Sequence, residues 1–101
     1  MSRLLDDTEI QERMSDADLR EWRRVADTLH RTVEAYDFPT AVRIVDKIVR
    51  ETQRLDHRPD IDIRDKTLHF AVYSEGGLTD VDVELAHRIE TAAGSLVRGH
   101  E

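Results

Sequence analysis

The chain contains no cysteine, only two prolines and four glycines, and one tryptophan, two tyrosines and two phenylalanines among its 101 residues. Without cysteine there are no disulfides, no thiolate catalysis and no cysteine-ligated zinc, which is compatible with a reducing compartment. No apolar run approaches the roughly 20 residues that a membrane helix needs. Residues Met1 to Leu5 lack the apolar core of a secretory signal. An excess of basic residues is also missing. Fifteen Lys and Arg stand against twenty-two Asp and Glu, a net charge of −7. A surface of that sign repels a phosphate backbone. Arg20, Arg23 and Arg24 are interleaved with acids such as Glu21 and make no basic patch. Nucleic-acid and membrane binding are therefore not expected, and a soluble cytoplasmic protein is.

What is present is a charged chain with ordered apolar periodicity. Charged residues make up 37% and hydrophobic ones 39%, and the latter fall in periodic stretches, as in a folded domain rather than a disordered one. The length suits one modest core, so residues 1–101 are read as a single domain. There is no internal repeat, linker or low-complexity segment.

The pattern reads as follows. Residues 7–14, DTEIQERM, form a short helix with Thr8 as its cap, and Ser15-Asp16 cap a further turn through Leu19 toward Trp22. Residues 29–36 alternate, with Leu29, Val33 and Ala35 on one face, which predicts a strand. Arg31 interrupts that face and points either to an edge strand, suited to pairing between subunits, or to a strand with a partly wet side. Asp37-Phe38-Pro39-Thr40 opens a helix whose stripe is Ala41, Ile44, Val45, Ile48, Val49, Thr52 and Leu55. Pro59 stops it by Arg58. DIDIR and TLHFAVY are two strands joined at Asp65-Lys66. Thr79 caps a last helix that buries Leu85, Ala86, Ile89, Ala93 and Leu96. The expected fold is α+β, a single antiparallel sheet of about four strands with helices packed on one face.

The stretch RLDHRPDI, residues 54–61, lies where the long helix gives out. With the hairpin after it and SEGGLTDVDVELAHRIE beyond, it resembles the pterin-4a-carbinolamine dehydratase family, whose helix typically ends in Leu-x-His-His-Pro. In that family a strand then ends in Thr-His, and a Gly-Leu-Thr/Ser turn and an Asp follow. LHRTVEAYDFPTA and Trp22 match further parts of the pattern, so the resemblance covers most of the chain. It implies dehydration of a 4a-hydroxytetrahydropterin to a quinonoid dihydropterin, serving aromatic amino-acid hydroxylases. It also implies a homodimer or homotetramer, and no cofactor beyond the pterin substrate.

Carried over by position, the resemblance makes His57 and Asp82 the catalytic candidates. Asp56, Arg58, Pro59, Tyr73 and His69 become candidates for binding the pterin. His57 keeps the first histidine of the His-His-Pro run, whereas Arg58 replaces the second and Tyr73 replaces the strand-end histidine. An arginine stays charged and holds oxygen rather than moving protons. A tyrosine with an ordinary pKa of about 10 is a poor base at neutral pH. His69, four residues before Tyr73 and on the same side of the strand, is a candidate substitute.

Each residue also has a plainer reading. A histidine at a helix C-terminus suits the macrodipole, and Thr79-x-x-Asp82 has capping-box spacing. Arg58 is also read as a surface or oligomer contact, Tyr73 as a core-covering aromatic, and His30 and His69 as a partly exposed sheet surface or a subunit interface. His87 and His100 belong to no motif. Asp56, Asp60, Asp62 and Asp65 lack the glycine and terminal glutamate of a calcium loop, so no metal is expected. The two departures from the histidine pattern leave a second function open, a non-catalytic dimerisation or assembly factor on the same scaffold.

Overall fold

In the computed structural model of the protein, which describes residues 3–99 and the side chains of residues 3–94, the first helix opens at Asp6 rather than Thr8. Helix α1 (Asp7–Met14) starts with a capping box: Glu9 N–H donates to Asp6 Oδ1 at 2.8 Å, and Asp6 N–H to Glu9 Oε1 at 2.9 Å. Only Ile10 of this helix is buried.

The stretch after it departs from expectation in part. The further turn is present as expected, a 3₁₀ turn (Ala17–Leu19) capped by Asp16, but the chain then extends as strand β1 (Arg23–Val25), which was not expected. Three residues reading Arg-Arg-Val are too few to display a two-residue period. A turn at Ala26-Asp27, with Ala26 at φ 54°, folds β1 onto β2 (Thr28–Glu34). Helix α2 (Phe38–Leu55) carries the chain over to the hairpin of β3 (Asp60–Arg64) and β4 (Thr67–Val72), and helix α3 (Asp80–Gly99) closes the order.

The four strands form one antiparallel sheet in the order β1-β2-β4-β3. Strand β2 is therefore interior, which corrects the edge reading; the edges are β1 and β3. Arg31 had prompted that reading because it interrupts the apolar face. Its guanidinium is instead neutralised inside the fold, with Nε 2.9 Å from Glu90 Oε1 of α3. Trp22 Nε1 donates to the same oxygen at 2.9 Å. One helical carboxylate thus holds both polar groups that the apolar layer must accommodate.

The core lies between the helices and one sheet face. Leu29, Val33, Leu68, Phe70 and Val72 meet Ile44, Ile48, Leu85, Ala86 and Ile89, all buried. On α2, Asp37 caps the Thr40 N–H at 2.9 Å and Pro39 occupies the first turn. The predicted stripe holds at Ala41, Ile44, Ile48 and Thr52, with Val45 and Leu55 half-buried. Val49 departs from it: together with Phe38 and Val42 it is exposed, forming a second apolar row. On α3, Leu85, Ala86, Ile89 and Ala93 are buried as expected, while Leu96 and His100 lie outside the described side chains. The architecture is α+β, with helices against one face of a four-stranded antiparallel sheet. No helix among the described residues is long and apolar enough to cross a membrane.

Candidate functional site

Helix α2 ends because Asp56 turns left-handed, at φ 54° and ψ 42°. Short polar residues tolerate this conformation better than most, and it is the usual way to terminate a helix. The N–H groups of Asp56 and His57 both reach the Thr52 carbonyl, the latter at 3.2 Å. Pro59 then favours extended backbone at Arg58, and β3 begins at Asp60. The segment is a spent helix end turning a corner, and the corner aims His57 at the start of α3.

There, His57 Nε2 lies 2.7 Å from Oδ1 of Asp82, whose side chain is fully buried. The other carboxylate oxygen accepts the Thr79 N–H at 2.9 Å and the Thr79 hydroxyl at 3.2 Å. The capping reading and the site reading of Asp82 therefore coexist, one for each oxygen. The start of α3 is fixed further by Leu5 N–H, which donates to Leu78 O at 2.9 Å. Gly77, at φ 136° beside Leu4, completes the turn before it.

Ser74 Oγ is the second neighbour of the same ring nitrogen, at 3.3 Å. Nε2 carries a single hydrogen, and the shorter, charge-assisted bond to Asp82 takes it. With Nε2 protonated, the Ser74 hydroxyl hydrogen cannot be spent on the imidazole. His57 Nδ1 makes no hydrogen bond among the described residues. A neutral His57 oriented in this way presents Nδ1 as its basic nitrogen.

A pocket of about 620 Å³ opens beside this pair, lined by Thr52, Gln53, Asp56, His57, Arg58, Tyr73, Ser74 and Glu75. Asp82 lies behind His57 and does not line it. Arg58 is exposed and makes no hydrogen bond or ion pair among the described residues. The Tyr73 hydroxyl donates to Asp60 Oδ2 at 2.9 Å, and that bond, with the carboxylate charge, raises the phenol above its ordinary value. Tyr73 is thus a neutral donor that already has an acceptor. Pro59 shapes the corner without lining the pocket.

His69 is not brought to this place. It shares its strand side with Tyr73, but four residues separate them by about 13 Å. His69 instead meets His30 and Thr32 on the sheet face away from the helices. There, burial, then His69 and Arg23, lower the pKa of His30. Ser74 was not singled out from sequence, and Asp60 was noted only within the acidic run, because a lone serine and one acid of a polar turn carry no pattern. The acidic run itself divides into separate tasks: Asp56 and Asp65 adopt positive φ, Asp60 holds Tyr73, and Asp62 contacts Arg64. Among the described residues, no point gathers three or more His, Cys, Asp or Glu side chains suited to a metal ion.

Comparison with known proteins places this geometry in context. The family model described as Pterin 4 alpha carbinolamine dehydratase matches residues 3–92. A Nocardia farcinica protein named for that activity is 41% identical over 92 residues, covering 89% of this chain and 95% of its own. A Roseiflexus castenholzii protein named for it is 37% identical, covering 89% of this chain and 97% of its own. A crystal structure from Brucella melitensis, titled a transcriptional coactivator/pterin dehydratase, superposes with a TM-score of 0.84 at 23% identity. It covers 91% of this chain and 100% of that one, and shows the shared fold. The chain belongs to the pterin 4 alpha carbinolamine dehydratase family, as a divergent member.

Proposed function

We propose that the protein is a 4a-hydroxytetrahydropterin dehydratase that works with one acid-base histidine, His57. The observation that carries this reading is the 2.7 Å contact between His57 Nε2 and the buried Asp82 at the wall of the pocket. The reaction removes the N5 proton and the C4a hydroxyl, so that a C4a=N5 double bond forms and water leaves. His57 Nδ1 accepts the N5 proton and returns it to the departing oxygen, serving in turn as base and acid. Asp82 does not touch the pterin; it holds the imidazole in one tautomer and balances the charge the ring acquires. The Ser74 hydroxyl, with its hydrogen unspent, donates to the leaving C4a oxygen. Arg58 takes a pterin carbonyl or an acidic substituent, and Tyr73 and Asp56 line the pocket without moving protons.

The direct test generates 4a-hydroxytetrahydropterin in situ and compares purified wild type with His57→Ala. Acceleration that disappears in the variant supports the assignment. No acceleration by the wild type at ample protein concentration overturns it and leaves only the family fold.

A second reading rests on a different observation. Phe38, Val42 and Val49 are each 42–50% exposed on one row of α2, with Val45 half-buried between them. Their four- and three-residue spacing is the seam of a helix that packs on another helix. We propose that this row supports self-association or a protein partner, in keeping with the coactivator title of the Brucella protein. Sedimentation of Val42→Glu/Val49→Glu against wild type tests it. An unchanged assembly mass in the double variant removes the row from any self-association.

A further inference from the structure

The sheet face turned away from the helices carries an arrangement that dehydration does not use. His30 on β2 and His69 on β4 are diagonal neighbours, since Thr32 stands directly opposite His69. His30 Nδ1 and His69 Nε2 are 3.1 Å apart, with ring centroids separated by 5.3 Å and planes inclined by 35°. Both side chains are partly exposed. The remaining ring nitrogen of His69, Nδ1, lies 2.9 Å from Thr32 Oγ1. An imidazole anchored through one nitrogen, with the other facing a second imidazole, has the outer-sphere support typical of metal-binding histidines.

We propose that His30 and His69 form a two-imidazole site for a divalent first-row transition-metal ion, with Cu²⁺ bound most tightly. At metal–nitrogen bonds of about 2.0–2.1 Å, a 3.1 Å separation subtends about 95–102° at the ion. That range lies between the right angle of a tetragonal Cu²⁺ or Ni²⁺ site and the tetrahedral angle, so the affinity order of divalent ions, which peaks at Cu²⁺, sets the preference. Binding needs only a modest turn of the two rings and a change of tautomer. The hydrogen shared between the facing nitrogens is given up, and His69 Nδ1–H donates to Thr32, so both rings stay neutral.

The surroundings act in both directions. Asp62, opposite His69 on β3 and half-exposed, is the carboxylate that the register places on the ion's side. Arg23, opposite His30 on β1, opposes a cation, but it is exposed and free to extend into water. With two protein nitrogens the site leaves several coordination positions to water, so the ion is exchangeable.

The experiment is a titration of the full chain with copper(II) sulfate in a non-coordinating buffer, followed by calorimetry and electron paramagnetic resonance. Wild type, His30→Ala, His69→Ala, Thr32→Val and His87→Ala are compared, each checked for an unchanged melting profile. The expected result is one Cu²⁺ with two imidazole nitrogens in its hyperfine pattern. His30→Ala and His69→Ala should each weaken binding by about tenfold or more and leave one nitrogen, with Thr32→Val smaller in the same direction. His87→Ala should bind as wild type does. Equal affinity in wild type, His30→Ala and His69→Ala, or a spectrum traced to another histidine or the chain terminus, overturns the site. Dehydratase activity is not a readout, so the result stands apart from the catalytic assignment.

Discussion

His57 and Asp82 meet at 2.7 Å although 25 positions separate them in the chain. The same buried carboxylate ties down the Thr79 N–H at the start of α3, so imidazole orientation and helix start depend on one side chain. Asp82→Asn cannot serve both, because its amide nitrogen must face either Thr79 N–H or the His57 Nε2 hydrogen. Either the buried Thr79 N–H loses its acceptor, at about 1–3 kcal/mol, or the His57 ring sheds its Nε2 hydrogen and accepts from the amide. Urea unfolding should show that loss, and ¹⁵N shifts of the His57 ring should show the protonated nitrogen change or become mixed. An unaltered ring tautomer together with unaltered stability in Asp82→Asn would mean that the carboxylate does not orient His57.

Ser74 separates a substrate contact from a packing role. Ser74→Ala, which removes one neutral hydrogen bond to the leaving oxygen, should lower kcat by about tenfold, while KM and the melting temperature change little. Ser74→Thr, which keeps the hydroxyl, should recover part of the rate. A loss confined to KM, or equal in both variants, would assign Ser74 to the pocket wall alone.

The Glu90 carboxylate anchors both Trp22 and Arg31, whose side chain is only 18% exposed. Glu90→Ala leaves a guanidinium and an indole N–H short of an acceptor at the core boundary. A cost of about 2–4 kcal/mol is expected, at or below the range for breaking a buried pair, because both charges keep some solvent. Denaturant titration followed by the fluorescence of Trp22, the chain's one tryptophan, reads the change directly.

Tyr73 gives a pH signature. Its folded pKa is raised, through the bond to Asp60 and that carboxylate's charge, above the ordinary value of 10.0. The neutral phenol is thus the form the fold prefers. Its contribution is fully present below about pH 10 and is lost as pH rises through the folded value. Absorbance titration of tyrosinate should place one of the two tyrosines late. Asp60→Asn should bring it back toward the ordinary range, with Tyr73→Phe identifying the signal.

Much of the fold was written in local pattern. The α2 stripe from Ala41 to Thr52, the alternation of Leu68, Phe70 and Val72, and the turn at Asp65-Lys66 follow from helical period, strand period and turn chemistry. Each of these acts within a few residues. His57 was legible at the corner because a proline-terminated helix end is a local event, and the resemblance directed attention to Asp82. Strand β1 was not legible, because three residues carry no period, and its absence made β2 look like an edge. Arg31 on an apolar face looked like exposure, since its remedy, Glu90, lies 59 positions away.

The sequence by itself determined the types of the longer elements, the α+β class and the corner that bears His57, because those depend on neighbours in the chain. Only the tertiary structure decided that Asp82 grips His57, that Ser74 stands beside it, and that Tyr73 is taken by Asp60. It also decided that His69 belongs with His30 on the far face. Hydrogen bonds form between groups brought within about 3 Å, and no pattern along the chain encodes which distant groups the packing of two helices on a sheet will bring that close.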